Sequence, residues 1–148
     1  MTKTDALKAR LVQLACDISN KLRDVPEIDV AELLQRHPED IVLVDLRSDR
    51  ERQVSMIPGA ISAAQFEANP KIFADKTVVA HCTAGYRSGL FVRKIRKQGI
   101  DAVNLRKGIL GWCQQHQPLV TPDQQPTRKV HVYSRAWNLV PDDYEAVW

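Results

Sequence analysis

The sequence predicts an α/β fold in which helices flank a parallel sheet. Two uninterrupted apolar runs, at residues 41–44 and 77–80, have the composition of strands that are buried on both faces of a sheet, and a third strand is predicted at residues 102–105. Helical patterns separate these runs, and strands that alternate with helices over short connections are typical of a parallel sheet. A chain of 148 residues is long enough for one such domain.

A helix is predicted at residues 4–23, before the first strand. Its apolar residues recur at steps of three and four, as on one side of an amphipathic helix: Leu7, Leu11, Leu14, Ile18 and Leu22. We expect this side to pack against the rest of the domain. A docking surface for a partner, or for a second copy of the chain in a homodimer, is the alternative.

The segments around the strands predict four more helices and one turn. A short helix is expected to begin at the N-cap Asp29 and to end before Pro38, and a polar helix is expected at residues 48–54. The segment 57–60 has the composition of a turn that leads into a short extended piece. Two further helices are predicted at residues 88–98, ended by Gly99, and at residues 108–116, ended by Pro118.

The C-terminal part of the chain differs in composition. Residues 119–129 are rich in proline and polar side chains and are predicted to form a linker. Four large aromatic residues follow, and we expect such a tail to be docked rather than free: Tyr133, Trp137, Tyr144 and Trp148. The predicted organisation is an N-terminal helix over residues 1–27, an α/β domain over residues 28–120 and a C-terminal extension over residues 121–148.

Composition and cysteine spacing exclude several classes of protein. The three cysteines (Cys16, Cys82 and Cys113) form no CxxC pair and the four histidines are scattered, so we expect no disulfide framework, no metal site and no bound cofactor. A net charge of +3 is too small and too dispersed for a nucleic-acid-binding surface. Because no signal-like or membrane-spanning apolar run is present, we expect a soluble cytoplasmic protein that does not bind membranes.

The loop after the second apolar run holds the residues with the clearest chemical pattern. The predicted strand ends next to Cys82, at the edge of the sheet where ligand sites of parallel α/β folds lie, and a helix starts shortly after it. The helix N-terminus and Arg87 are expected to stabilise a Cys82 thiolate, and Ser88 to cap the helix and donate to the sulfur. Gly85 allows the loop amides to curl around an anion. Cys82 is therefore predicted to be a nucleophile, whereas Cys16 and Cys113 have the simpler interpretation of buried apolar side chains.

The remaining loop residues, Thr83, Ala84 and Tyr86, complete the predicted binding site. Charged residues after the other two strands are expected to lie at the same sheet edge. Arg47 is a candidate for binding an anionic substrate, although pairing with Asp45 or Glu51 is the simpler interpretation. Asp45 is expected to hold backbone amides, and Lys107 to support the site.

Three motifs in the right order resemble the rhodanese-like domain family. The loop of residues 82–88 resembles its active-site loop, and the segment 45–60, with Asp45-Leu46-Arg47, Glu51 and Ile57-Pro58-Gly59-Ala60, resembles its first signature. The segment 104–119, with Asn104-Leu105, Gly108, Trp112 and Pro118-Leu119, is similar to its closing signature. The chain departs from the family pattern at Ser55-Met56, where Gly-His is usual, and at Lys107, where glycine is common.

The resemblance implies a parallel five-stranded sheet and a sulfurtransferase activity. It implies that Cys82 accepts sulfur as a persulfide from a small anionic donor such as thiosulfate, and passes it to cyanide, a thiol or a protein acceptor. The expected reaction uses no metal or cofactor, and the expected partners of the protein are the sulfur donor and the sulfur acceptor.

Two other functions remain as alternatives. A cysteine phosphatase or arsenate reductase also has cysteine followed by arginine, but places one residue more between them than the four present here. A regulatory binding module or dedicated sulfur-relay protein would keep the fold, although inactive members of the family usually lack the cysteine.

Overall fold

The computed structural model describes residues 2–18 and 24–148, with side chains for residues 2–14 and 24–148, and confirms the α/β fold. The central sheet has five strands in the order β1-β5-β4-β2-β3, and every pairing in it is parallel. Its strands are β1 (Glu27–Ile28), β2 (Ile41–Asp45), β3 (Ile61–Ser62), β4 (Thr77–His81) and β5 (Ala102–Leu105).

Helices lie on both faces of this sheet. They are α1 (Lys3–Ile18), α2 (Val30–Gln35), α3 (Asp49–Val54), α4 (Ala63–Ala68), α5 (Tyr86–Arg96) and α6 (Gly108–Gln114). The predicted N-cap Asp29 accepts a hydrogen bond from the amide of Glu32 at the start of α2. The α3 helix begins with a capping box, in which Ser48 and Glu51 each satisfy an amide of the other.

Alternate residues of the central strands point to opposite faces, so the core consists of two clusters. Val42 and Val78 pack with α4 and α5 in one cluster, and Leu43 and Val79 pack in the other cluster with α2 and α6. Both faces are therefore covered, as the uninterrupted apolar runs predict.

Helix α1 is present and packs against α6, but not through the predicted side. Leu7 and Leu14 are 58% and 55% exposed, and Leu11 is also exposed, whereas Val12 is fully buried. Spacing shows which residues share a side of a helix, but not whether another element covers that side. The predicted extension of this helix to residue 23, and the side chains of Cys16 and Ile18, lie outside the described residues.

Two other boundaries differ from the sequence prediction. The short extended piece after the turn at residues 57–60 is followed directly by α4, which the sequence analysis did not predict. Helix α5 begins at Tyr86, with Gly85 as its N-cap, so Ser88 lies in its first turn and does not cap it. None of the helices in the described ranges is long and apolar enough to cross a membrane.

The predicted linker is part of the folded structure. Strands β6 (Leu119–Val120) and β7 (Pro126–Thr127) form an antiparallel pair, and β8 (Lys129–His131) pairs in parallel with β9 (Glu145–Val147). Leu119 is buried in the main cluster together with Val130, Val132, Val140 and Tyr144. The tail is therefore docked as predicted, and it shares its core with the sheet.

Candidate active site

Cys82 lies directly after β4, at the carboxyl edge of the central sheet. Its Sγ accepts a hydrogen bond from the amide of Gly85 at 3.1 Å and lies 3.3 Å from the hydroxyl of Ser88. Gly85 has φ +116°, a conformation that L side chains rarely adopt, and it turns the chain into α5. Cys82 is largely buried, but it lines a pocket at the protein surface.

Asn104 on β5 orients the residues around the sulfur. Its side-chain nitrogen donates to the carbonyl of Gly85 at 2.9 Å, which turns its Oδ1 toward the hydroxyl of Ser88, 2.7 Å away. The single hydroxyl proton of Ser88 thus faces two acceptors, Oδ1 of Asn104 and Sγ of Cys82. The sequence analysis used Asn104 only as part of a family signature and did not predict a place for it in the site.

The N-terminus of α6 holds the backbone of the loop that carries Cys82. The amides of Ile109 and Leu110 donate to the carbonyls of Cys82 and Thr83 at 2.9 and 3.2 Å. A Cβ at Gly108 would lie 2.5 Å from the first of these oxygens and 2.6 Å from the second, so the close contact requires glycine.

Lys107, predicted to support the site, is the residue before this contact. It has φ +65°, a left-handed backbone conformation that glycine adopts without steric cost, so glycine suits this position. Lys107 lines a different cavity, together with Asp29, Arg106 and Gln114.

Arg87 lines the same pocket as Cys82, and its guanidinium is held by a carboxylate. Its guanidinium donates to both oxygens of Glu51, at 2.8 and 2.9 Å, and to the hydroxyl of Thr83 at 3.0 Å. Burial opposes the ionisation of Glu51, but hydrogen bonds from Arg87 and Ser48 outweigh it and lower the pKa of Glu51 to about 2. Glu51 is therefore a charged partner of Arg87, a role that the sequence analysis did not predict.

Arg47, predicted to bind substrate, takes a structural position instead. Its guanidinium donates to Asp45 at 2.8 Å and to the carbonyl of Ser55 at 2.7 Å, and both charged side chains have no exposed surface. Asp45 also accepts from the amide of Arg47 at 2.9 Å, as predicted. This corrects the expectation that Arg47 contacts a substrate and confirms the simpler interpretation, because its side chain is buried, pairs with Asp45 and is not among the residues that line the pocket.

The C-terminal extension supplies one wall of the pocket. The cavity has a volume of about 260 Å³ and is lined by Cys82, Thr83, Ala84, Tyr86, Arg87, Tyr133 and Trp137. Tyr133 lies against the guanidinium of Arg87, with 5.1 Å between the ring centre and the central guanidinium carbon. The sequence analysis predicted that these aromatic residues dock, but nothing in the local pattern indicates where.

The other described thiol has a different environment. Cys113 is fully buried in α6, and burial raises its pKa to about 12, as expected of an inert apolar side chain. The described ranges, residues 2–18 and 24–148, contain no group of side chains that could hold a metal ion.

Comparison with known proteins gives a consistent result. A family profile described as rhodanese-like domain matches residues 29–115. A sulfurtransferase of Allochromatium vinosum is 36% identical over 108 residues, which cover 67% of this chain and 98% of that protein. A putative sulfurtransferase of Bacillus subtilis is 29% identical over 100 residues, which cover 64% of this chain and 97% of the relative. The structure of a thiosulfate sulfurtransferase from Pseudomonas aeruginosa has the same fold, with a TM-score of 0.60 and 23% identity, over 77% of this chain and 23% of that one.

Proposed function

This chain belongs to the rhodanese-like domain family, and we propose that it transfers sulfane sulfur through a persulfide on Cys82. The thiolate of Cys82 attacks the outer sulfur of a donor X–S⁻, where X is a sulfonyl or sulfite group or a second sulfur. The new S–S bond forms as the X–S bond breaks, and X leaves with the bonding electron pair. In the second step an acceptor thiolate attacks the outer sulfur of the persulfide, and the Cys82 thiolate leaves.

The contacts of the Cys82 sulfur carry this proposal. An amide and a hydroxyl group lie within hydrogen-bond distance of Sγ, and the N-terminus of α5 adds a partial positive charge on the same side. These groups stabilise an anionic sulfur both before it attacks and after it leaves. The pocket in front of Sγ gives the second sulfur of a persulfide a place to lie.

The position of Arg87 argues against a phosphatase. A phosphate dianion needs free positive charge, whereas both terminal nitrogens of the Arg87 guanidinium donate to the carboxylate of Glu51. The loop between Cys82 and Arg87 is also one residue shorter than the phosphatase signature. A sulfur-relay protein fits the same site, because it differs only in the identity of the acceptor.

The proposal is tested by intact-mass spectrometry of the purified protein after incubation with a sulfane-sulfur donor. We expect a gain of one sulfur atom, which cyanide or a thiol removes. Cys82→Ser should abolish the gain, whereas Cys16→Ser and Cys113→Ser should retain it. The proposal is overturned if no thiosulfate, thiosulfonate or persulfide donor adds sulfur, or if the protein instead hydrolyses an aryl phosphate in a Cys82-dependent manner.

A further inference from the structure

The pocket in front of Cys82 has features that bear on the class of sulfur donor. Resting on the proposed function, we propose that this site selects organic sulfane-sulfur donors with an aromatic body, such as an arenethiosulfonate, over inorganic thiosulfate. Tyr133 and Trp137, which lie beyond the residues matched by the family profile, are the residues that determine this preference.

The lining of the pocket is the first observation that supports an aromatic ligand. Two of the three tyrosines in the chain and one of its three tryptophans lie around the same opening: Tyr86, Tyr133 and Trp137. Aromatic rings attract one another in stacked or edge-to-face geometry, beyond the effect of buried area. The methyl group of Ala84 adds further apolar surface beside the sulfur.

The size of the pocket agrees with a ligand of this class. An apolar cavity of about 150 Å³ can hold a benzene molecule. The pocket of about 260 Å³ therefore has room for a phenyl ring and for the sulfonyl and sulfur atoms that connect it to Sγ. Inorganic thiosulfate would leave most of the aromatic wall without contact.

The charge of the pocket is the second observation, and it is independent of the wall. Of the described residues that line the pocket, Arg87 alone is charged, and it forms a bidentate ion pair with Glu51. The pair has no net charge, so the site offers little compensation for the two negative charges of thiosulfate. A thiosulfonate carries a single charge, which the amide of Gly85 and the helix N-terminus can accommodate.

Backbone hydrogen bonds and a buried neighbour hold the aromatic wall in place. The amide of Tyr133 donates to Nδ1 of His131 at 3.0 Å, and the amide of Trp137 donates to the carbonyl of Ser134 at 3.0 Å. Val132, directly before Tyr133, is fully buried in the core. A preformed wall loses little conformational freedom on binding, which favours selection by shape.

The chemical step for this donor is balanced without any further reactant. The Cys82 thiolate attacks the terminal sulfur of Ar–SO₂–S⁻, and an S–S bond to Cys82 forms as the S–S bond to the sulfonyl group breaks. The arenesulfinate Ar–SO₂⁻ leaves with the bonding electron pair, and the persulfide keeps one negative charge. Total charge is the same on both sides of the reaction.

The test compares three donors: benzenethiosulfonate, methanethiosulfonate and thiosulfate. The first two share the reacting group and the charge, so their ratio of kcat/KM reports the aromatic body alone. We expect benzenethiosulfonate to exceed methanethiosulfonate by about tenfold, as one aromatic contact can supply. Thiosulfate should be the poorest donor of the three.

Two variants assign the preference to the wall. Trp137→Ala and Tyr133→Ala should each lower the ratio of kcat/KM for benzenethiosulfonate to that for methanethiosulfonate by about threefold, so that the two losses together account for the tenfold preference. Tyr133 is 60% exposed, so its substitution is not expected to unfold the protein, and Trp148→Ala is a matched control at an exposed aromatic residue outside the pocket.

The outcomes separate this inference from the proposed function. Equal use of the two thiosulfonates, or an equal loss for both in the wall variants, overturns the inference while a persulfide on Cys82 still supports sulfur transfer. Absence of sulfur uptake from all three donors and from a persulfide donor overturns the proposed function itself.

Discussion

Replacing Glu51 by glutamine tests whether the charge of this buried carboxylate stabilises the fold. Glu51 is 3% exposed, and glutamine keeps its shape and an oxygen for the capping box. A shift of one pKa unit corresponds to about 1.4 kcal/mol, so a pKa lowered from 4.5 to about 2 corresponds to about 3 kcal/mol of stability at neutral pH. We expect Glu51→Gln to lose about this amount at pH 7.

The pH dependence gives this prediction its sign. Because the carboxyl of Glu51 has a lower pKa in the folded state than in the unfolded state, its contribution is complete above about pH 5 and is lost as the pH falls toward about 2. The stability difference between wild type and variant should therefore shrink from about 3 kcal/mol at pH 7 to below about 1 kcal/mol near pH 2.5.

Urea unfolding followed by circular dichroism across this pH range measures the difference. Asp49→Asn is the matched control, since the ion pair of Asp49 with Arg52 lies at the surface and should contribute little at any pH. A difference for Glu51→Gln that stays constant with pH would refute the electrostatic argument, because a packing defect does not titrate.

Two further substitutions test the support of the sulfur. Ser88→Ala removes the hydroxyl beside the Cys82 sulfur and should lower the rate of sulfur uptake by about tenfold. Ser55→Ala is the control and should leave the rate unchanged, because this buried hydroxyl has no hydrogen-bond partner among the described residues. Stopped-flow sulfur transfer measures both variants, and equal rates would contradict the role of Ser88. Gly108→Ala should cost more than about 2 kcal/mol of stability, because the added Cβ would meet the loop carbonyls. Gly99→Ala is the control, and since its Cβ would lie in open space it should cost about 1 kcal/mol from backbone strain alone. Equal losses in urea unfolding would show that the close contact is unimportant.

The sequence predicts the parts of the site that depend on local pattern. The apolar run before Cys82 fixes the end of a buried strand, and the parallel arrangement then places the loop at the sheet edge. The fold and the family follow from such signals, because strand composition and motif order are properties of contiguous residues.

Contacts between distant segments could not be predicted in the same way. Glu51 and Arg87 form an ion pair although they lie far apart in the sequence. Arg47 is closer to Glu51 in the sequence, but in the structure it pairs with Asp45 instead. The position of Tyr133 depends on β8 and β9 packing as a pair beside α3, which no local periodicity indicates. The exposed leucines of α1 show the same limit, since a helical spacing carries no information about what covers it.

The C-terminal extension is built into the main hydrophobic cluster. Val130 and Val132 are as deeply buried as Val79 of the central sheet, and Val140 brings the chain back into the cluster after Trp137. Because these buried valines flank Tyr133 and Trp137 in the sequence, moving the wall away from the pocket would expose apolar surface of the main cluster. For a protein that accepts sulfur from Cys82, which is 2% exposed, we therefore expect the accepting group to lie on a narrow segment that enters the pocket beside this wall.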